Sequence, residues 1–229
     1  MLKTLLFILL LIPMSLFASH KACPVKPSYD IAITEENVHI FNPQDDLIIM
    51  PKGMVVLNGN SVPLDTQLQK QTEQFQKELR KQLPQLEQQA SNLLGEVKVT
   101  FDQAIKTKLG DDSELHNQLN KLYKRLVKLL HRSISTEQGE THFYYKNFNN
   151  IRQEGQDIGE RIFYDVVGNS LLQFDLFKNY GAIKQISKNE WKSQKPKLKT
   201  FDAHLCSVIT DIDRQYQQIL TELNAAIDK

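Results

Sequence analysis

One short stretch of the chain collects the side chains that reactions and ligands most often use. Between residues 142 and 156 lie His142, Tyr145, Lys146, Arg152, Glu154 and Gln156, which offer an imidazole, an aromatic ring, both signs of charge and an amide. A base such as His142 or Glu154, close to cations that hold an anionic group, is the equipment of a hydrolase. The same residues also suit a packed strand-to-helix junction, with Arg152 and Glu154 solvated or paired. They stand as the candidate binding residues, and no residue is assigned a catalytic role.

Nothing else reaches a recognisable catalytic pattern. The chain has no GxSxG elbow, no P-loop and no HExxH motif. Its six histidines, at 20, 39, 116, 131, 142 and 204, never fall within four residues of one another. Each reads as a surface or core-edge residue, so no metal and no other cofactor is expected. Asp45 with Asp46, and Asp211 with Asp213, are paired carboxylates beside apolar residues. A hydrolase of the two-carboxylate kind would need such groups on opposite sides of a cleft.

The start of the chain speaks about location. Lys3 precedes an apolar run from Leu5 to Ile12, Pro13 breaks it, and Ala18 is a small residue at a cleavage position. The run is too short to span a bilayer of about 30 Å, so residues 1–18 read as a cleaved secretory signal rather than an anchor. Lipid attachment at Cys23 is the competing reading, disfavoured by His20 and Lys21 just before it. The expected home is the periplasm, with no membrane-spanning segment after cleavage. Losing Lys3 leaves one basic residue fewer than the chain's 28, which balances the 27 acidic ones. A net charge of zero argues against nucleic acid, and against a membrane surface, as partners. Composition is ordinary for a globular protein, rich in Gln and Lys as long solvated helices are.

Cys23 and Cys206 are the two cysteines. In a secreted chain two cysteines pair by default. Such a bridge would tie the ends of the mature chain together, worth on the order of 4–5 kcal/mol of loop entropy. The alternatives are free or redox-active thiols, against which stands the absence of CxxC spacing, and a Cys/His metal site using His204.

The elements that must position these residues divide near residue 64. Before it the pattern alternates in twos. Tyr29, Ile31 and Ile33 are interleaved with polar or small residues, as are Val38 and Ile40, and Leu47 to Met50 is a short apolar run. Pro51-Lys52-Gly53 is a turn signal, and Asn58-Gly59 is the dipeptide of a type I′ hairpin. Residues 19–64 therefore predict an antiparallel meander of three to five short strands. Residues 65–229 predict a helical domain. Asp65 or Thr66 is the expected cap, and apolar residues recur every three or four from Leu68 to Leu109. Pro84 should kink that helix or start another, and Gly110 should stop it. Leu115, Leu119, Leu122, Leu126 and Leu129 mark the next helix, and Leu205 to Ala226 the last. Such stripes pack as a bundle or a long hairpin, or hold a partner helix or a second copy. Between them, 135–140 reads as a polar loop, and Thr141 to Tyr145 as a short strand or an aromatic lead-in to a helix. Gly155, Gly159 and Gly168 punctuate a further apolar pattern, and Lys192 to Lys199, around Pro196, reads as a solvated break, with a basic anchor for anionic lipid or lipopolysaccharide as the lesser reading. The fold class is α+β, predominantly α.

Met50-Pro51-Lys52-Gly53, Leu57-Asn58-Gly59, Phe75, Glu78-Leu79-Arg80, Leu83-Pro84, Phe143-Tyr144-Tyr145-Lys146, Glu190-Trp191-Lys192 and Cys206-Ser207 occur in an order that resembles the YggN-like family. These are secreted proteins of gammaproteobacteria carrying a domain of unknown function. The departure lies between about 168 and 189, where this chain is shorter and less glycine-rich. The resemblance implies a periplasmic protein whose two cysteines belong to the pattern, and it brings no catalytic residues. Two functions follow as expectations. The first is a non-enzymatic envelope protein, an adaptor or chaperone-like binder, whose long helices hold a protein partner. The second is a periplasmic hydrolase with its site at 142–156.

Overall fold

The structure, a computed structural model, describes residues 23–151 and 180–227. The apolar start at 1–18, the candidate residues Arg152, Glu154 and Gln156, and the glycines at 155, 159 and 168 lie outside the described residues. What is described is an α+β fold, mostly α, in which one antiparallel sheet sits at the root of long helices.

The sheet begins as the alternation predicts. β1 (Asp30–Ile33), β2 (Val38–Phe41), β3 (Asp46–Ile49), β4 (Val55–Leu57) and β5 (Asn60–Val62) form a meander. Ile31, Ile33, Val38, Ile40, Leu47, Ile49, Val55 and Leu57 are buried, while their strand neighbours stay at least partly exposed. That is the period-two consequence of covering one face. The β4–β5 turn has Asn58 at φ 51° and Gly59 at φ 78°, the positive pair a type I′ turn requires.

Two more strands come from later in the chain. The stretch expected as a polar loop is instead a hairpin, β6 (Ile134–Glu137) and β7 (Glu140–Phe143). Gln138 and Gly139, at φ 54° and 86°, turn it. β7 pairs with the free side of β1, so the order is β5-β4-β3-β2-β1-β7-β6. The sequence hid β6 because Ile134 is its one buried apolar residue.

α1 (Thr66–Leu109) starts where the Asp65 carboxylate accepts from the Leu68 N–H at 2.8 Å. It ends where Gly110, at φ 90°, donates its N–H to the Lys106 carbonyl. α2 (Leu115–Ser133) returns to the sheet, and the short α3 begins at 145 and is described to 151. α4 (Tyr180–Ile227) then runs unbroken past Pro196. This corrects the expected break at 192–199, just as α1 continues past Pro84 rather than giving way to a second helix. A proline inside a helix costs about 3 kcal/mol, and packing on either side offsets it. Leu83 and Leu86 flank Pro84 in the core. Near Pro196, Gln194 is buried and Lys197 pairs with Glu96 of α1 at 3.0 Å.

Two hydrophobic cores result. The larger joins the sheet to Phe75, Leu79, Leu83 and Leu86 of α1 and to Ile209, Ile212, Tyr216, Ile219 and Leu223 of α4. The smaller lies at the far tip, where Phe101, Ile105, Leu115, Leu119, Ile183 and Ile186 meet. Between Leu86 and Phe101 no residue of α1 is buried, a span of about 22 Å. The α2 stripe follows this division. Leu115 and Leu119 are buried in the tip, and Leu122, Leu126 and Leu129 are half-buried along the shaft.

Three fastenings hold the sheet to the helices. Cys23 and Cys206, 183 positions apart in the chain, form a disulfide with Cα atoms 5.5 Å apart. The Pro51-Lys52-Gly53 turn lies directly on α1. The Gly53 carbonyl accepts from the Thr72 hydroxyl at 2.6 Å, the Pro51 carbonyl from Gln76 and the Lys52 carbonyl from Gln69, each at 3.1 Å. A Cβ at Gly53 would fall 2.3 Å from the Gln69 carbonyl oxygen. Finally, Arg80 of α1 donates to the Thr34 carbonyl in the β1–β2 turn and to Gln76 at 2.7 Å.

Candidate functional site

The residues singled out at 142–156 are placed by the β7-to-α3 corner. His142 sits on the open face of β7, its Nε2 3.4 Å from Glu140 Oε2 and its ring stacked 6.0 Å from Tyr144. The Tyr145 N–H donates to the Asp30 carboxylate at 2.9 Å, and Lys146 Nζ lies 5.8 Å from the Tyr145 ring. The corner is tied down on several sides. Tyr144 N–H reaches the Ser133 carbonyl, Asn147 the Arg132 carbonyl and Asn149 the Pro27 carbonyl, all at 2.8–2.9 Å. Phe143 and Phe148 pack beneath it with ring centroids 5.1 Å apart. Of the six candidate residues, His142, Tyr145 and Lys146 are thus on this corner, and the other three lie beyond the described residues.

The two pairs of acidic residues come closer than the sequence could reveal. Asp45, before β3, and Asp213, on α4, both act electrostatically on Tyr216. Tyr29 and Tyr216 are each 1% exposed, with ring centroids 4.3 Å apart. Burial, reinforced by these carboxylates, raises both hydroxyls well above the ordinary 10.0. Burial also raises the Asp213 carboxyl above 3.8, opposed by its interaction with the Tyr29 hydroxyl. Neither hydroxyl makes a well-aligned hydrogen bond. The cluster is a core anchor under the sheet, next to the disulfide, where Thr210 Oγ1 lies 3.7 Å from Cys23 Sγ.

Two concavities lie elsewhere, along the seam between α1 and α4. One has a volume of about 610 Å³ and reaches from Gln74 to Gln89 of α1, facing His204, Val208 and Asp211 of α4. The adjoining one, about 460 Å³, is walled by Lys70, Gln71 and Gln74 on one side and Arg214, Gln215 and Gln218 on the other. They share Gln74, Glu78 and Asp211, so the two form one groove. Glu78 braces it, accepting from Gln74 of its own helix and from Gln215 across the seam, both at 2.8 Å. Asp211 accepts from Gln215 at 3.0 Å. The side-chain carbonyls of Gln71 and Gln82 are buried without a donor.

Sequence reading passed over this groove. Its signal was the glutamine richness of α1, taken as ordinary helix solvation. Helical spacing alone does not say that Gln74, Gln82, Gln85 and Gln89 line a wall whose opposite side arrives more than a hundred residues later. Chemically the groove offers glutamine amides and a few charges beside an apolar floor that includes Leu86, Val208 and Ile219. Among the described residues no group of three His, Cys, Asp or Glu side chains converges as a metal site would require. Nor is any described helix long and apolar enough to cross a membrane.

Comparison with known proteins covers nearly the same span. Residues 23–226 match the family described as protein of unknown function (DUF2884). The uncharacterized protein YggN of Escherichia coli strain K12 is 23% identical over 215 residues, covering 88% of this chain and 90% of that protein. YggN of the O6:H1 and O157:H7 strains aligns with the same figures. No solved structure matches. The chain belongs to the DUF2884 family, and it is the YggN-like relationship that its residues suggested.

Proposed function

We propose that the protein is a non-catalytic binder of the cell envelope, exported by its apolar start, whose α1–α4 groove takes an extended polypeptide segment. The observation that carries this reading is the glutamine lining. A glutamine amide both donates and accepts, as a peptide backbone does, and Gln71, Gln74, Gln82, Gln85 and Gln218 repeat it along both walls. Small-molecule pockets are mostly enclosed, whereas this seam is open along its length and rimmed by amides over an apolar floor. No Phe, Tyr or Trp side chain lines either concavity, and His204 is the one ring in its walls.

A permanently unfolded polypeptide, such as reduced and carboxymethylated α-lactalbumin carrying a fluorophore, tests the reading by anisotropy. Binding to the disulfide-bonded protein is expected, with loss in the triple variant Gln74→Ala, Gln85→Ala, Gln218→Ala. Absence of binding, or equal binding by the triple variant, refutes it. The alternative of a hydrolase based on His142 and Glu154 draws support from the His142–Glu140 contact. Under it, alanine at 142 and 154 abolishes the cellular phenotype without shifting the melting temperature. A matching loss of stability marks both residues as structural.

A further inference from the structure

The chain's neutral charge balance hides a sorting that the fold makes visible. α2 carries Lys121, Lys124, Arg125, Lys128 and Arg132 and no acidic residue. The first half of α4 carries Lys184, Lys188, Lys192, Lys195, Lys197 and Lys199 against Glu190 and Asp202. All of these cations are exposed, and among the described residues Lys197 is the one that is ion-paired.

Their spacing puts them on faces. At about 100° per residue the α2 cations fall within an arc of about 100°, on the far side of the helix from Leu115 and Leu119. On α4, Lys184, Lys188, Lys192, Lys195 and Lys199 fall within about 80°, while Lys197 points the other way, toward Glu96 of α1. Each helix therefore turns a stripe of unpaired cations outward. A helix face that is merely solvated mixes its signs, as α1 does where Lys77 pairs with Glu73 at 2.6 Å. The sheet end is sorted oppositely: Lys26 and Lys52 are outnumbered by Asp30, Glu35, Glu36, Asp45 and Asp46.

We propose that the cationic stripes of α2 and α4 dock the helical shaft on an anionic membrane surface, through the phosphates of its headgroups. Lysine supplies the whole α4 stripe, and a mobile ammonium suits a diffuse field of headgroups better than the fixed edges of nucleic-acid bases. The apolar face of α2 packs in the tip and against α1, so its outward basic face is what meets headgroups. Neither stripe lines the α1–α4 groove, so a docked shaft leaves the groove accessible.

Vesicle flotation of the chain from residue 19, disulfide intact, tests this. Vesicles containing phosphatidylglycerol should carry the protein, pure phosphatidylcholine vesicles should not, and high salt should release it. Lys124→Gln with Lys128→Gln should weaken partitioning by about fivefold per cation, and so, separately, should Lys188→Gln with Lys192→Gln. Lys26→Gln with Lys52→Gln changes net charge equally and should have no effect. Equal partitioning to neutral vesicles, or an equal loss in that control pair, overturns the proposal. Tighter binding to duplex DNA than to the anionic vesicles at one ionic strength overturns it in favour of nucleic acid.

Discussion

Gly53→Ala is the sharpest test of how the sheet is fastened to the helices. Gly53 sits at φ 79°, and Gly59, in the neighbouring hairpin, at φ 78°. An alanine in such a conformation costs about 1 kcal/mol at either position. The surroundings then differ. At Gly59 an added Cβ meets nothing within 4 Å. At Gly53 it meets the Gln69 carbonyl oxygen at 2.3 Å, with Glu73 N and Thr72 Oγ1 both at 3.0 Å. The backbone of α1 cannot give way, so the turn must lift by about 1 Å to restore ordinary contact. Lifting stretches the bonds from Thr72, Gln76 and Gln69, each worth about 1 kcal/mol when intact. Thr72 recovers part of its share by donating to Leu68, whose carbonyl is 3.1 Å away. The loss at Gly53 is therefore about 3 kcal/mol, against about 1 at Gly59. For a chain of this size that corresponds to drops in melting temperature of about 9 °C and about 3 °C. Thermal denaturation followed by circular dichroism, under oxidising conditions, measures both. Equal shifts for the two variants would show that the turn does not rest on α1 as described.

Replacing Asp213 by Asn should stabilise the protein at neutral pH, by less than about 1 kcal/mol because water still screens this half-exposed group. The folded carboxyl holds its proton more tightly than the ordinary 3.8, so the charged form is disfavoured in the fold. Asn mimics the protonated state, and its advantage should shrink as pH falls through the raised value and vanish below 3.8. Paired urea titrations at several pH values test the sign, and an advantage that grows on acidification refutes it. Cys206→Ser should lower stability by up to about 5 kcal/mol, the loop entropy of a bridge across 183 positions. Reduction of the parent protein should reproduce that loss, read from urea midpoints. Tyr216→Phe should be neutral or stabilising by up to about 1 kcal/mol, since its buried hydroxyl has no aligned partner to lose. A clear destabilisation would reveal a hydrogen bond from that hydroxyl.

What could be read from sequence was whatever depended on near neighbours. The Asn58-Gly59 turn, the Asp65 cap and the Gly110 stop each need only a few adjacent residues, and each is in the structure. The β1–β5 meander follows from alternation and short turns. Pairing across distance was opaque. Nothing in Ile134 to Phe143 announces that it completes a sheet begun a hundred residues earlier, because half of that hairpin is polar on both faces. Pro196 misled for a related reason. It carries a local penalty that the packing of distant residues outweighs. The groove was invisible because its walls, Gln74 to Gln89 and His204 to Gln218, belong to helices far apart in the chain. Of the charge sorting only the Lys192–Lys199 cluster was legible, because a chain-wide sum averages the shaft with the sheet.

Beyond Gln89 of the groove and the Glu96–Lys197 pair, the stretch of α1 between Leu86 and Phe101 chiefly sets a distance. Neither core depends on how many turns separate them, provided each face returns to register. An insertion of seven residues in each of the three long helices, about two turns, would carry the tip roughly 10 Å farther out and leave sheet and tip intact. The shaft is in this sense a ruler, and its length is free to be selected for reach. Relatives that must span a wider or narrower gap can differ there by whole heptads while keeping the same root.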